Sequence, residues 1–173
     1  MDGWLLRPPR AAEATDALAM VTDAEVLQWN PVPSVVDAGT AEEWLASGAD
    51  WSAGDHASFS VVEAATGRFA GNVSLHRIDR GQACASIGYR VAAWARGRGA
   101  ATAAVAEVTD WSFTHLGLAR VELCHAVANA ASCRVAVKAG YPVEGTLRQS
   151  WAHSDGQRYD EHIHARLATD PRA

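Results

Sequence analysis

The feature that most constrains this chain is the junction at residues 86–102. An apolar strand pattern, Ser86-Ile87-Gly88-Tyr89-Arg90-Val91, runs into Arg96-Gly97-Arg98-Gly99 and restarts as an alanine-rich helix at Ala100-Ala101. A strand that ends this way leaves the first helical N–H groups without intrahelical acceptors, and those donors together with the helix dipole make an anion site. The glycines let the backbone approach a phosphate with no Cβ in the way, and the arginines add permanent positive charge. The residues predict a seat for a diphosphate.

A polyanion has to be met locally, because the chain as a whole is acidic: its formal charge is -5 and its pI about 5.8. A general nucleic-acid binder carries a basic face, so no nucleic-acid partner is expected. With 173 residues, 49% of them hydrophobic, the chain has the size of one domain with a sizeable core, and residues 1–173 are read as a single domain. No apolar run approaches the roughly 20 residues needed to cross a bilayer. The opening residues also lack the basic and apolar regions of a signal peptide. No membrane partner and a cytoplasmic location are therefore expected. Cys84, Cys124 and Cys133 are odd in number, widely spaced and set in apolar pattern, which supports neither a disulfide framework nor a metal knuckle; they read as small core residues.

Hydrophobic periodicity orders the rest. Residues 3–7 read as a short strand ended by Pro8-Pro9, residues 11–21 as an alanine-rich helix, and residues 40–49 as a second helix with a capping box from Thr40 to Glu43. The intervening residues 29–34 read as a loop. From residue 57 the period becomes two, giving strands at 58–63, 69–76 and 83–91 as an antiparallel meander. A helix at 99–114, a strand at 120–125 and a helix at 130–139 follow, the last stopped by Gly140. Residues 142–151 and 158–167 close the chain as a hairpin around Ser154-Asp155-Gly156. The order is β-α-α-β-β-β-α-β-α-β-β, an α+β domain with a mixed, mostly antiparallel sheet and helices on both faces.

That order, with Arg96-Gly97-Arg98-Gly99-Ala100-Ala101 at the fourth strand-to-helix junction, resembles the GNAT superfamily of N-acetyltransferases. Asn129-Ala130-Ala131-Ser132, followed by Lys138-Ala139-Gly140-Tyr141, is similar to the family's second motif. The pair is much more specific than either half. Trp29-Asn30-Pro31, Ala41-Glu42-Glu43-Trp44-Leu45, Gly71-Asn72-Val73-Ser74 and Glu144-Gly145-Thr146-Leu147-Arg148 resemble the RimJ/RimL-like branch, so the likeness spans nearly the whole chain. A P-loop reading lacks a following Gly-Lys-Ser/Thr, and a dinucleotide fold lacks a repeated βαβ.

The resemblance implies an acetyl-CoA cosubstrate in a wedge between splayed fourth and fifth strands. Backbone amides of Arg96, Gly97, Arg98, Gly99, Ala100 and Ala101 would hold its pyrophosphate. The edge of the fourth strand, Tyr89, Arg90 and Val91, would pair with its pantetheine arm and polarise the thioester carbonyl. It further implies that Ser132 serves the departing thiolate, because the position where many relatives carry a tyrosine is Ala136 here. Ser132 and Asn129 equally suit helix capping. Asn129 is otherwise placed to bond the pantetheine arm.

Acetyl transfer to an amine also needs a neutral nitrogen. An N-terminal α-amine, with a pKa of about 7.7–8.0, is partly neutral already, whereas a lysine at about 10.4 needs more help. His76 on the meander is the candidate base, with His153 or Glu161 as relays through water; a surface or hydrogen-bonded structural role is the competing reading for each histidine. Seven tryptophans are many for this length. Trp111 reads as core, while Trp29, Trp44, Trp51 and Trp151 fall in segments that the resemblance puts at the acceptor mouth, unless they fill the core instead. Glu42, Glu43, Asp50 and Asp55 lie near that mouth and would suit a basic acceptor. His162 and His164 share a strand face and His125 lies beside Cys124, but no third ligand has diagnostic spacing, so no metal is expected.

The leading expectation is an acetyl-CoA-dependent N-acetyltransferase acting on a protein N-terminus or a small aminoacyl- or antibiotic-like amine. A homodimer is compatible with it. The alternative is an acyl-CoA-binding sensor with the same cleft and little turnover, which the missing tyrosine would favour.

Overall fold

A computed structural model of the protein describes residues 3–152 and 155–171. Its period-two segments pair into a seven-stranded sheet in the order β1-β2-β3-β4-β5-β7-β6. The strands are β1 (Trp4–Arg7), β2 (Ala57–Glu63), β3 (Phe69–Asp79), β4 (Cys84–Val91), β5 (Arg120–Ala126), β6 (Val143–Ala152) and β7 (Arg158–Leu167). Every neighbouring pair is antiparallel except β4 and β5, which run parallel. A parallel pair needs a crossover, and α4 (Ala100–His115) provides it.

The helices divide between the two faces because alternate strand residues point in opposite directions. Ala57, Phe59 and Val61 of β2, Val73 and Leu75 of β3 and Ile87 of β4 pack with Ala104, Val105 and Val108 of α4 and with Ala136 of α5 (Ala130–Lys138). On the opposite face a smaller cluster joins Ala17, Met20 and Val21 of α1 (Ala14–Val21), Val26 of α2 (Ala24–Trp29) and Ala41 and Leu45 of α3 (Ala38–Ala49) to Phe69 and Ala92. Tyr141 is fully buried, and its hydroxyl meets Thr109 Oγ1 of α4.

The expected order of strands and helices holds, with local differences. The helix expected at 11–21 opens with a 3-10 turn, Ala11–Glu13, before α1. A short helix, α2, occupies residues read as connection. Its amphipathic signal is only six residues long, but Asp23 caps it by accepting from the Glu25 amide. The third helix starts earlier than Thr40: Asp37 is its cap, accepting from the Thr40 amide at 2.8 Å while the Thr40 hydroxyl accepts from the Asp37 amide. The capping box therefore runs from Asp37 to Thr40. Ser154, around which the sequence reading turns the closing hairpin, lies outside the described residues, as does His153.

Candidate functional site

The parallel pairing of β4 and β5 is short. Cys84, Ala85 and Ser86 pair with Arg120, Val121 and Glu122, and among the described residues no rung beyond Ser86 joins the two strands. From Ile87 onward they separate. On the other side β4 stays paired to β3 as far as Val91. The Ala92 amide donates to Ala70 O; by the alternation of an antiparallel ladder, Arg90 and Gly88 then bond to β3, while Tyr89 and Val91 turn their N–H and C=O groups into the gap. Two side chains confirm this orientation: Asn30 Nδ2 donates to Tyr89 O at 3.0 Å, and Arg96 Nε donates to Val91 O at 3.3 Å. The carbonyls are occupied and the amides of Tyr89 and Val91 are left as gap-facing donors.

At the far end of β4 the chain turns through Gly97 and Gly99, whose φ angles of 72° and 86° lie in the left-handed region that glycine adopts without strain. Gly99 is the N-cap of α4. Among the described residues the amides of Gly97, Arg98, Gly99, Ala100 and Ala101 donate to no backbone carbonyl, whereas the Arg96 amide bonds to Ala93 O. The arginines are engaged elsewhere. The Arg96 guanidinium pairs with Asp23 and, at 3.1 Å, with Glu25 of α2, and this partner holds the Asp23 carboxyl below its usual range. Arg98 pairs with Glu63 at 2.8 Å and lies over Trp4 and Trp94. The positive charge that the sequence places at this turn is offset by carboxylates, and the anion-binding capacity rests on main-chain donors.

Across the gap stands α5. Asn129 is its N-cap, with Oδ1 accepting from the Ser132 amide at 3.0 Å. Its side-chain oxygen is thereby committed to capping. Ser132 is nearly buried, and its Oγ accepts from the Tyr89 hydroxyl at 2.9 Å. Burial raises Tyr89 to about 12, a shift partly offset by this hydrogen bond, so the phenol stays protonated at neutral pH. Tyr89 thus brings a side chain as well as an edge. Period-two alternation could have found it, because it puts residue 89 on the opposite face from Gly88 and Arg90, toward α5.

The opposite face of β4 carries different groups. His76 of β3 is half-buried, with its ring over Gly88; a Cβ there would lie 3.5 Å from His76 Cε1. Burial first, then the nearby Arg77 and Arg90 charges, lower the His76 pKa below 6.5, so the imidazole is neutral at neutral pH and free to accept a proton. Arg90 donates to Asn30 O and Asn30 Oδ1, both at 2.8 Å, and lies 5.9 Å from the Trp44 ring. A cleft of about 210 Å³ between α3 and the sheet is lined by Trp44, Leu45, His56, Ser58 and Asn72 among others. Asn72, Ser74 and His76 follow one another along the same strand face. The cleft and the imidazole therefore share a side.

The tryptophans separate into groups. Trp44 lines the cleft. Trp29 meets Tyr159 edge-on at 6.2 Å, and Trp151, largely exposed, is the cross-strand partner of Tyr159. Trp51 is not at the mouth: it packs against Phe59 at 4.9 Å and Trp111 at 5.7 Å on the α4 face, and its Nε1 donates to Gly48 O. Glu161 accepts from the Ser150 hydroxyl on the neighbouring strand.

Comparison with known proteins decides the family. The acetyltransferase (GNAT) domain matches residues 4–142. The chain belongs to the GNAT acetyltransferase family. YdaF of Bacillus subtilis (strain 168), provisionally named a ribosomal N-acetyltransferase, is 33% identical over 114 residues, which is 64% of this chain and 61% of YdaF. The chain thus spans about three fifths of that relative's length. Among solved GNAT structures, Mycobacterium smegmatis RimJ in complex with CoA-disulfide is 26% identical, with a TM-score of 0.84 over 95% of this chain and 82% of that one. The microcin C7 self-immunity acetyltransferase MccE, in complex with acetyl-CoA and AMP, shares the fold at a TM-score of 0.84 and 21% identity, over 96% of this chain and 93% of its own. Among the described residues, no helix is long and apolar enough to cross a membrane.

Proposed function

We propose that the protein is an acetyl-CoA-dependent N-acetyltransferase acting on a primary amine, either a protein N-terminal α-amine or a small aminoacyl- or antibiotic-like amine. One observation carries the reading: a neutral proton acceptor, His76, stands on one face of β4, and a protonated hydroxyl pair, Tyr89 and Ser132, stands on the other, with an unpaired strand edge between them. Direct transfer needs that polarity, since one proton leaves the amine and another reaches the thiolate.

The donor set suits coenzyme A. The unpartnered amides of Gly97 to Ala101 fit a pyrophosphate, and the gap-facing amides of Tyr89 and Val91 fit the amide groups of a pantetheine arm and the thioester oxygen. Bound there, acetyl-CoA supplies the activated acetyl group. His76 takes the proton of the incoming ammonium or amine, directly or through water. Ser132 turns its own hydrogen toward the gap, because its oxygen already accepts from Tyr89, and so is set to protonate the leaving sulfur. This hydroxyl pair also answers the absence of a tyrosine at Ala136 and favours turnover over a pure sensor.

The cleft beside Trp44 and the aromatic set Trp29, Tyr159 and Trp151 support an acceptor with a flat or apolar group next to its amine. The name of YdaF, a ribosomal N-acetyltransferase, favours a ribosomal acceptor; MccE, with AMP bound, favours an amine that carries a nucleotide. A mass-spectrometric screen for acetylated products across peptides with free N-termini, aminoacyl nucleotides and amine antibiotics tests the reading. Acetyl-CoA-dependent acetylation of one class is the expected result, and no product on any amine would overturn it.

A further inference from the structure

Four side chains that acetyl transfer leaves unused converge behind the gap. His125 of β5, His162 and His164 of β7 and Cys133 of α5 each offer one ligand atom, and the four atoms all lie within 4.8 Å of one another. The register assembles three of them, since His125 and His162 are direct cross-strand partners and His164 is two residues further along the same strand face. Helix α5 brings the fourth.

The hydrogen bonds fix the ring tautomers. His125 Nδ1 lies 2.8 Å from Ala126 O, and His164 Nδ1 lies 3.0 Å from Tyr141 O. A carbonyl oxygen only accepts, so both Nδ1 atoms carry hydrogen and both Nε2 atoms present lone pairs. Those two Nε2 atoms face each other at 3.1 Å. His164 is 1% exposed and His125 5%, so solvent does not separate them. Two opposed lone pairs repel unless a cation lies between them. A proton would serve that pair alone and leave His162 Nδ1, which is buried with no hydrogen-bond partner, unsatisfied. A metal ion would serve all four groups.

We propose that His125, Cys133, His162 and His164 form a structural zinc site. Three imidazoles and one thiolate suit a tetrahedral Zn²⁺ ion, and four protein ligands leave no open position, as in structural rather than catalytic centres. Carbonyl groups that accept from the far nitrogens of two ligand rings are the usual outer support of such a site. Bond lengths of about 2.0–2.3 Å put tetrahedral ligand atoms about 3.3–3.6 Å apart, so small side-chain movements close the present spacing. On binding, Cys133 gives its thiol proton to solvent. The ion would pin the first turn of α5, which carries Ser132, to β5 and β7.

The test uses the full chain, stripped with a chelator and titrated with Co²⁺ and then Zn²⁺. One equivalent of Co²⁺ should develop tetrahedral d–d bands and a thiolate-to-cobalt charge-transfer band, and Zn²⁺ should abolish both and raise the Tm. Cys133→Ser should remove the charge-transfer band. His162→Gln, at a half-buried position, should weaken Co²⁺ binding by at least the 10–100-fold that loss of an outer-shell partner costs. Circular dichroism establishes that each variant is folded. A folded wild-type chain that shows no such bands, or folded variants that bind Co²⁺ with the wild-type spectrum and affinity, would overturn the site.

Discussion

Tyr89 of β4 and Ser132 of α5 meet hydroxyl to hydroxyl at 2.9 Å, across a gap where their flanking strands have ceased to pair. The phenol donates and the serine oxygen accepts, which leaves the serine hydrogen as the one group of the pair free to reach the sulfur that the proposed transfer releases. Ser132→Ala should lower kcat by about 10²-fold to 10³-fold, the cost of one lost donor, while affinity for coenzyme A by calorimetry stays close to wild type. Tyr89→Phe should cost less, and the double variant no more than Ser132→Ala, because the two act as a unit. Equal turnover in Ser132→Ala and wild type would remove the donor role.

His76 should set the acid side of the pH profile. Burial, Arg77 and Arg90 all lower its pKa, so its proton-accepting form is lost only as pH falls below the ordinary histidine value of about 6.5. The acid limb of kcat/KM should lie on that low side. The same depression makes folding stability attributable to His76 present above about pH 6.5 and lost as pH falls through the lowered value. His76→Gln should abolish the limb and slow turnover by about 10²-fold or more. If the limb persists unchanged in that variant, the proton goes elsewhere.

Main-chain donors, rather than arginine charge, should dominate the proposed phosphate site. Gly99→Val forces a β-branched residue to a φ of 86° and puts a side chain at the N-cap, so binding of coenzyme A should fall below detection in calorimetry. Arg98→Ala should weaken it only by about tenfold or less, because the guanidinium is already paired to Glu63. The reverse ranking would move the anion contact from backbone to side chain.

Gly71 has a packing role. A Cβ at this position of β3 would lie 2.2 Å from Arg90 O on β4, a backbone atom that cannot move without its strand. Gly71→Ala should therefore destabilise the protein by about 1–3 kcal/mol in denaturant unfolding, as overpacking does. An unchanged midpoint would mean that the strands spread freely.

Much of this was legible in the chain. Alternation from residue 57, the glycine-rich turn before α4 and the Asn129-to-Tyr141 segment depend on local periodicity and local backbone needs, and these survive in one dimension. Helix α2 was not legible, because six residues carry too little periodicity. Nor was the commitment of Arg96 and Arg98 to Asp23, Glu25 and Glu63, partners that lie 35 to 73 residues away in sequence.

The sequence by itself determined the order of elements and the glycine-rich turn before α4, because hydrogen-bond periodicity and glycine's access to left-handed backbone are properties of neighbouring residues. Only the tertiary structure decided which hydroxyl faces which, that Trp51 belongs to the core, and that Cys133 joins three histidines whose spacing gave no metal signature. The hydroxyl pair and the Cys133 cluster arise where β4 and β5 part and α5 packs behind them, and the Trp51 contacts where α4 covers β2. Strand register and helix packing bring together atoms that chain distance keeps apart.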